Sequence, residues 1–159
     1  MIAPAKDDSK ICAAEVARGV SRLFLRNDVV VQSEVTLRNH RRADLMGLNA
    51  KGEIIIVEIK CSRADLLGDQ KWPEYLDYCD RYYWAVPAGF DIKPLSGEAF
   101  LPGQTGLIVA DAYDGEIARP AAYSALAPAR RKKESERLAR LAMRRLMQLS
   151  DPDFKNPAG

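Results

Sequence analysis

Two charged side chains interrupt the most apolar segment of this 159-residue sequence, EIIIVEIKC at positions 53–61. Glu58 and Lys60 lie two residues apart among isoleucine and valine residues, which predict a strand buried on both faces. Side chains two apart in a strand project from the same face, so the acid and the base are expected side by side. The pair is either a structural ion pair or part of a catalytic site.

A second acid, Asp44, is expected directly opposite Glu58. The sequence from 42 to 60 predicts a hairpin whose turn, NAKG, ends in Gly52, a residue that accepts the positive φ such a turn needs. If the turn is centred on Lys51, opposed residues have numbers that add up to 102. Asp44 and Glu58 then have Cβ atoms about 5 Å apart. A loop centred half a residue away would shift this pairing.

Two carboxylates this close in a buried strand repel each other unless a cation neutralises them. Mg²⁺ or Mn²⁺ does so well, because these ions prefer hard oxygen ligands such as carboxylates, waters and phosphates. We expect Asp44 and Glu58 to bind the metal, with the backbone carbonyl of Ile59 as a further ligand. Lys60 would hold the attacking water or stabilise charge on a phosphate. This arrangement favours metal-dependent hydrolysis of phosphodiesters.

A third acid, Glu15, lies on a predicted helix at 9–26. It falls within a face of apolar and small residues that should pack on the sheet, defined by Cys12, Val16 and Gly19. An acid on such a face is expected to meet a partner, such as the metal or its waters. The alternative is a boundary position from which the carboxylate reaches solvent.

The combination of Asp44, Glu58-x-Lys60 and a preceding helix that bears Glu15 resembles the PD-(D/E)xK nuclease superfamily. The resemblance implies a restriction-endonuclease-like αβββαβ core. It also implies that Asp44 and Glu58 are the metal-binding acids, that Lys60 is the catalytic lysine, and that Glu15 is the helical glutamate many members add. Ala43, where the motif has proline, touches no ligand.

A more specific resemblance covers most of residues 10–145. The segments RRADLMGLNAKGEIIIVEIKCSRADLLGDQKWPEYLDYCDRYYWAVP (41–87) and GLIVADAYDGEIARPA (106–121) resemble the MmcB-like DNA repair proteins. This resemblance implies a role in DNA repair and a nuclease activity, with DNA as the partner.

Positive charge is concentrated near the C-terminal end. Residues 128–149 hold eight basic and two acidic side chains, a net of +6, whereas the rest of the chain carries −4. This asymmetry indicates an anionic partner, although a solvated basic helix face explains it equally well. The residues that we expect to contact DNA here are Arg130, Arg131, Lys132 and Lys133.

A second DNA contact is predicted in the segment DQKWPEYLDYC. Lys71 and Tyr75 lie one turn apart in a short helix predicted at about 71–79, next to Gln70. These three side chains would contact a DNA backbone or stack on an unpaired base. For the neighbouring Trp72, packing in the core is the favoured interpretation.

Together these patterns predict one α/β domain over residues 1–159: a restriction-endonuclease-like mixed central sheet with flanking helices, followed by a C-terminal hairpin and a basic amphipathic helix. The core should span about 9–127, the helix about 129–149, and a frayed tail 150–159. The other expected elements are strands at 28–37, 42–48, 53–60 and 81–86, an irregular piece at 61–69 and a hairpin at 105–121.

Several protein classes are not expected. No apolar stretch reaches the roughly 18–20 residues that cross a membrane, and the first residues lack the apolar core of a signal peptide. The three cysteines, Cys12, Cys61 and Cys79, have no CxxC spacing and predict neither a disulfide framework nor a zinc site. We therefore expect a cytoplasmic, nucleoid-associated protein.

The favoured function is that of a Mg²⁺- or Mn²⁺-dependent DNA endonuclease or exonuclease in DNA repair. The first alternative is a non-catalytic DNA-binding repair subunit that retains the nuclease fold. The second is an interaction module whose C-terminal helix docks a repair protein or a second copy of the chain. Salt separates these alternatives, because phosphate-driven binding weakens steeply as salt rises.

Overall fold

A six-stranded mixed sheet with helices on both faces forms the protein in the computed structural model, which describes residues 6–154. The main elements in chain order are α1 (Lys6–Arg26), β1 (Val30–Thr36), β2 (Arg42–Leu48), β3 (Ile54–Ile59), α2 (Arg63–Gly68), β4 (Arg81–Pro87), β5 (Gly106–Ala110), β6 (Gly115–Arg119) and α3 (Pro128–Ser150). Connecting 3₁₀ helices cover Trp72–Tyr78, Lys93–Ser96 and Glu98–Phe100. The predicted αβββαβ order, the later hairpin and the long last helix are confirmed.

The strands lie in the sheet in the same order as in the chain, from β1 to β6. β4 runs parallel to both β3 and β5, and the remaining neighbours are antiparallel. Every residue of β3 is buried. This agrees with its continuous apolar sequence, which is typical of a strand covered on both faces.

The hairpin between β2 and β3 has the predicted register. Leu45 pairs with Val57 and Met46 with Ile56, so the numbers of opposed residues add up to 102. Gly52 has a φ of +78°, which a residue without a Cβ adopts without strain. This register directs Asp44 and Glu58 toward each other at the end of the ladder.

The two faces of the sheet carry separate apolar layers. On one face, Val16 and Val20 of α1 pack with Ile55 and Val57 of β3. α1 approaches the loop after β5 closely because position 19 is a glycine. A Cβ there would lie 2.0 Å from a backbone oxygen of that loop. On the other face, the cluster includes Ile54, Ile56, Trp72, Trp84 and Leu138. The side chain of Glu58 shares this second face, because it alternates with Ile55 and Val57.

Asp80 anchors α3 to the sheet. Its buried carboxylate accepts hydrogen bonds from the backbone N–H groups of Ile54 (2.7 Å) and Leu126 (2.8 Å). It also accepts two from the guanidinium of Arg131, at 2.6 and 3.2 Å. These bonds hold the pKa of Asp80 below its usual range, although burial acts in the opposite direction. The Arg131 guanidinium, which we expected on DNA, therefore has a structural role in the fold.

The segment predicted to be irregular contains a helix, which corrects that prediction. α2 begins after Ser62, whose hydroxyl accepts a hydrogen bond from the backbone N–H of Asp65 at 3.1 Å. This N-cap satisfies a donor that the first turn would otherwise leave unpaired. Leu66 is fully buried, whereas the neighbouring Leu67 is exposed.

A disulfide that we did not predict joins Cys12 of α1 to Cys61, which follows β3, with Cα atoms 6.3 Å apart. The two cysteines are 49 residues apart in sequence and meet only because α1 packs on the sheet. Cys79 is free and buried.

The predicted domain limits and frayed tail extend over residues 1–5 and 155–159, which lie outside the described residues. Between these limits, no helix has the length and apolar character needed to cross a bilayer.

Candidate functional site

The buried acidic pair, Asp44 and Glu58, is held by reciprocal hydrogen bonds between two neighbouring strands. The backbone N–H of Asp44 donates to Glu58 Oε1 at 3.0 Å. The backbone N–H of Ile59 donates to Asp44 Oδ2 at 2.8 Å. Each carboxylate is thus fixed by the strand that carries the other, and the pair is positioned by the β2–β3 register.

The electrostatics of the acidic pair favour a cation. Burial, reinforced by the charge of Asp44, raises the pKa of Glu58 to about 9. Burial likewise raises the pKa of Asp44, although the hydrogen bond from Ile59 and the charge of Lys60 partly offset this effect. The pair therefore resists carrying two negative charges at neutral pH without a positive charge beside it.

Lys60 lies at the end of β3 with only 6% of its surface exposed. Its Nζ donates to Asp69 Oδ2 at 2.8 Å and lies 3.8 Å from Asp65 Oδ1. Burial lowers the pKa of Lys60, but the hydrogen bond to Asp69 and the surrounding carboxylates outweigh it and raise the pKa. No ion pair within 4.0 Å links Lys60 to Glu58 in the described part of the chain, which removes the simple ion-pair interpretation of these two residues.

The sequence did not predict that Asp65 and Asp69 would be the ion-pair partners of Lys60. They lie four residues apart, one in α2 and one at its C-terminal end, so α2 brings both toward the ammonium. The pattern Ser62-x-x-Asp65 is a helix-start signature that would have indicated α2. Asp69 Oδ1 also accepts from the backbone N–H of Lys71 at 3.1 Å, which fixes the carboxylate.

Glu15 is not brought to the acidic pair. α1 packs on the face of the sheet opposite to the Glu58 side chain. Glu15 is exposed and forms no hydrogen bond or ion pair with another described residue. The solvent-facing alternative for this residue therefore agrees with the structure.

The donor set of the acidic pair is suited to Mg²⁺ or Mn²⁺. Asp44 Oδ1 and Glu58 Oε2 accept no hydrogen bond from a backbone N–H group of a described residue, because the reciprocal bonds use the other oxygen of each carboxylate. Two carboxylates are a sufficient protein contribution for Mg²⁺, which keeps waters or takes substrate phosphates as its other ligands. Among residues 6–154 there is no group of three or more histidine, cysteine or acidic side chains arranged to hold a metal.

A comparison with protein families identifies the group to which this chain belongs. The model of the family described as "DNA repair protein MmcB-like" matches residues 3–153, nearly the whole sequence. The chain belongs to the MmcB-like family.

The chain also shares its fold with a solved structure of a protein of unknown function. The chain is similar to "SPO1766 protein of unknown function from Silicibacter pomeroyi", with 43% sequence identity and a TM-score of 0.81. The match covers 93% of this chain and 97% of the other. No curated protein matches the chain.

The first set of predicted DNA contacts in this MmcB-like protein is divided between surface and core. Gln70 and Lys71 are exposed next to Asp69, on the side of the molecule where Lys60 lies. Tyr75 is buried, and its hydroxyl donates to the backbone oxygen of Arg42 at 2.9 Å. Tyr75 therefore supports the start of β2, two residues before Asp44.

The second set, at the start of α3, is divided in the same way. Lys132 and Lys133 are exposed. The guanidinium of Arg130 lies over the Tyr78 ring, 4.7 Å from its centroid. Arg131 is bonded to Asp80, as described above. Lys132 and Lys133 thus remain exposed, whereas Arg130 and Arg131 are half-buried and make contacts within the fold.

Proposed function

We propose that this MmcB-like protein is a DNA repair nuclease that hydrolyses phosphodiester bonds with Mg²⁺ or Mn²⁺. The observation that carries the proposal is the buried, cross-bonded pair of Asp44 and Glu58, with a buried lysine, Lys60, directly after the end of β3. In the absence of a cation this arrangement is electrostatically unfavourable, which is typical of sites maintained for a ligand.

Asp44 Oδ1 and Glu58 Oε2 would bind the metal, with the Ile59 carbonyl as a further oxygen. Their partner oxygens remain bonded to backbone N–H groups, so the strands fix the direction of both carboxylates. When bound, the ion would lower the pKa of a water and neutralise phosphate charge. The reciprocal bonds between β2 and β3 make the acidic pair rigid before substrate arrives, as electrostatic preorganisation requires.

Lys60 would act as a cation rather than as a general base. Its raised pKa keeps the ammonium protonated at neutral pH, and Asp69 fixes its position at 2.8 Å. A positioned ammonium stabilises the negative charge that develops on a phosphate and orients the attacking water. Gln70 and Lys71, exposed beside Asp69, would contact the DNA backbone next to this centre.

A second candidate function is a non-catalytic DNA-binding subunit of a repair complex. The observation that favours it is the engagement of Lys60 by two carboxylates, Asp69 and Asp65, which already balance its charge. In that case Lys60 would serve mainly to balance the charge of the loop around α2.

A cleavage assay distinguishes the two functions. Wild-type protein and Lys60→Ala are incubated with single-stranded, duplex and branched DNA, each with Mg²⁺, Mn²⁺ or a chelator. We expect metal-dependent cleavage that falls by about 100-fold or more in Lys60→Ala, because one group that stabilises developing negative charge is lost. Lys51→Ala, an exposed lysine in the turn of the same hairpin, is the matched control and should cleave like wild type. Equal cleavage by Lys60→Ala and wild type contradicts the catalytic role, and DNA binding without any cleavage favours the second candidate.

A further inference from the structure

Five basic side chains lie along one side of α3. They are separated by alternating steps of three and four residues, which places them next to one another on a helix. Over fourteen residues this line extends about 21 Å. We call it the basic stripe, and it consists of Arg130, Lys133, Arg137, Arg140 and Arg144.

The last four members of the basic stripe line a groove of about 780 Å³ between α3 and β1. The other wall is residues 34–36 of β1, at the edge of the sheet. Arg145 builds this groove, because its guanidinium donates to the backbone oxygens of Ser33 (2.7 Å) and Glu34 (3.1 Å). Arg145 thereby holds α3 at a fixed separation from the edge strand.

One arginine of the basic stripe, Arg137, forms an ion pair with a buried acid of the same helix, Glu134. The Glu134 side chain is only 2% exposed, and its Oε2 lies 3.3 Å from Nε of Arg137. A buried carboxylate is stable only with a cation nearby. The ion pair with Glu134 therefore restrains the Arg137 guanidinium at the groove. Lys133, Arg140 and Arg144 form no ion pair or side-chain hydrogen bond with another described residue. Their charges are available to a ligand.

The ligand that suits this groove is an extended polyanion. Four cations in a line face only two carboxylates of the lining, Glu34 and Glu136. The four span about 16 Å along the helix axis, which is longer than a single phosphate and suits a chain of phosphates. Arginine guanidinium groups bind phosphate oxygens with two hydrogen bonds, which suits them to this role. A flat anionic lipid surface does not enter a groove walled by β1.

The groove also borders the strand that carries Asp44. Ser33 pairs with Leu45 and Val35 with Ala43, so Glu34 of β1 lies in the stretch of chain next to Asp44 of β2, although the two are not themselves paired. Adjacent strands are separated by about 4.8 Å. A phosphate backbone in the groove would therefore run one strand away from the acidic pair.

We infer that the groove between the basic stripe and β1 binds the phosphate backbone of a DNA strand and delivers it to the acidic pair. The inference rests on the proposed function for the choice of DNA as the polyanion. It differs from the sequence prediction in its residues: it keeps Lys133 and adds Arg137, Arg140 and Arg144, which lie further along α3.

The test measures binding without cleavage. Fluorescence anisotropy in a chelator, at several salt concentrations, gives the affinity of labelled single-stranded and duplex oligonucleotides for wild type and for a double variant, Arg140→Ala with Arg144→Ala. We expect weaker binding and a slope of log K against log salt that is shallower by about two, one for each lost phosphate contact. The control, Lys10→Ala with Arg18→Ala, removes the same charge from exposed positions of α1 and should retain the wild-type slope.

Three results would overturn the inference: equal slopes for wild type and the groove variant, an equal change in the α1 control, or wild-type binding to anionic vesicles but to neither DNA. Thermal denaturation of both double variants shows whether each remains folded. Because the binding assay contains no metal, its outcome is independent of cleavage. DNA binding through the groove without metal-dependent cleavage would contradict the proposed function alone, whereas cleavage with unaltered slopes would contradict the groove alone.

Discussion

At the scale of single residues, the defining feature is an acid whose charge is unfavourable in the metal-free protein. Burial and the nearby charge of Asp44 raise the pKa of Glu58 from 4.5 to about 9. Because the folded pKa is the higher one, protonated Glu58 stabilises the fold fully below about pH 4.5. This stabilisation is lost as the pH rises through about 9.

Glu58→Gln should therefore remove a pH dependence from the metal-free protein. Glutamine keeps an oxygen to accept the Asp44 N–H, but it does not ionise. The free energy of unfolding is measured for both proteins by urea titration in the presence of a chelator. Between pH 5 and pH 9, we expect it to decrease more for wild type than for Glu58→Gln. The difference should amount to at least about 1.4 kcal/mol, the equivalent of one pKa unit. Glu116→Gln, an exposed acid on β6, is the control. Parallel pH curves for wild type and Glu58→Gln would show that the carboxylate is solvated.

At the scale of elements, the position of α3 depends on the buried carboxylate of Asp80. This one side chain connects the first residue of β3, the segment before α3, and α3 itself. The pKa of Asp80 is lower in the folded protein than the ordinary aspartate value of 3.8. Ionised Asp80 therefore stabilises the fold fully above about pH 3.8, and this stabilisation is lost as the pH falls through the pKa of the folded protein.

Asp80→Ala should destabilise the protein by about 3 kcal/mol or more at pH 7, because it leaves buried donors unpaired. Asp77→Ala, an exposed neighbour, should change stability by no more than about 0.5 kcal/mol. Chemical denaturation at pH 7 and at pH 3 measures both variants, and the difference between Asp80→Ala and wild type should shrink at pH 3. A difference that is small at pH 7 would mean that α3 is held by its apolar contacts.

The β2–β3 register was predictable because it depends on local information: Gly52 limits the turn, and the apolar run fixes which strand is buried. The surroundings of Glu15 and Arg131 were not predictable, because they depend on which face of the sheet each helix covers. A 3.6-residue pattern identifies the buried side of a helix but not the layer against which it packs. Arg131 looked like one of four equivalent cations until Asp80, fifty-one residues earlier, was found beneath it.

At the scale of the whole molecule, the sheet separates two layers, and a disulfide links one of them to the end of the strand that carries the candidate site. α1 covers one face and α3 the other. The Cys12–Cys61 disulfide connects α1 to the residue that follows Lys60. Sequence spacing did not reveal this disulfide, because the pairing requires the complete α1–sheet interface.

The disulfide should contribute measurably to stability. Closing a loop of 49 residues restricts the unfolded chain by about 4 kcal/mol in the chain-entropy description. We expect the midpoint of urea unfolding to fall when wild type is treated with a reductant. Cys12→Ser should unfold at the lower midpoint with or without the reductant. An unchanged midpoint for reduced wild type would show that the cross-link does not stabilise the fold.

The central claim, that Asp44 and Glu58 together hold a divalent cation, is tested most directly by calorimetric titration of Mn²⁺ into wild type and Asp44→Asn. Asparagine keeps an oxygen for the Ile59 N–H and removes the repulsion with Glu58, so the metal-free variant should be at least as thermally stable as wild type. The account predicts that wild type binds Mn²⁺ and that Asp44→Asn, although folded, has no measurable affinity. Equal Mn²⁺ affinity in the two proteins would contradict it.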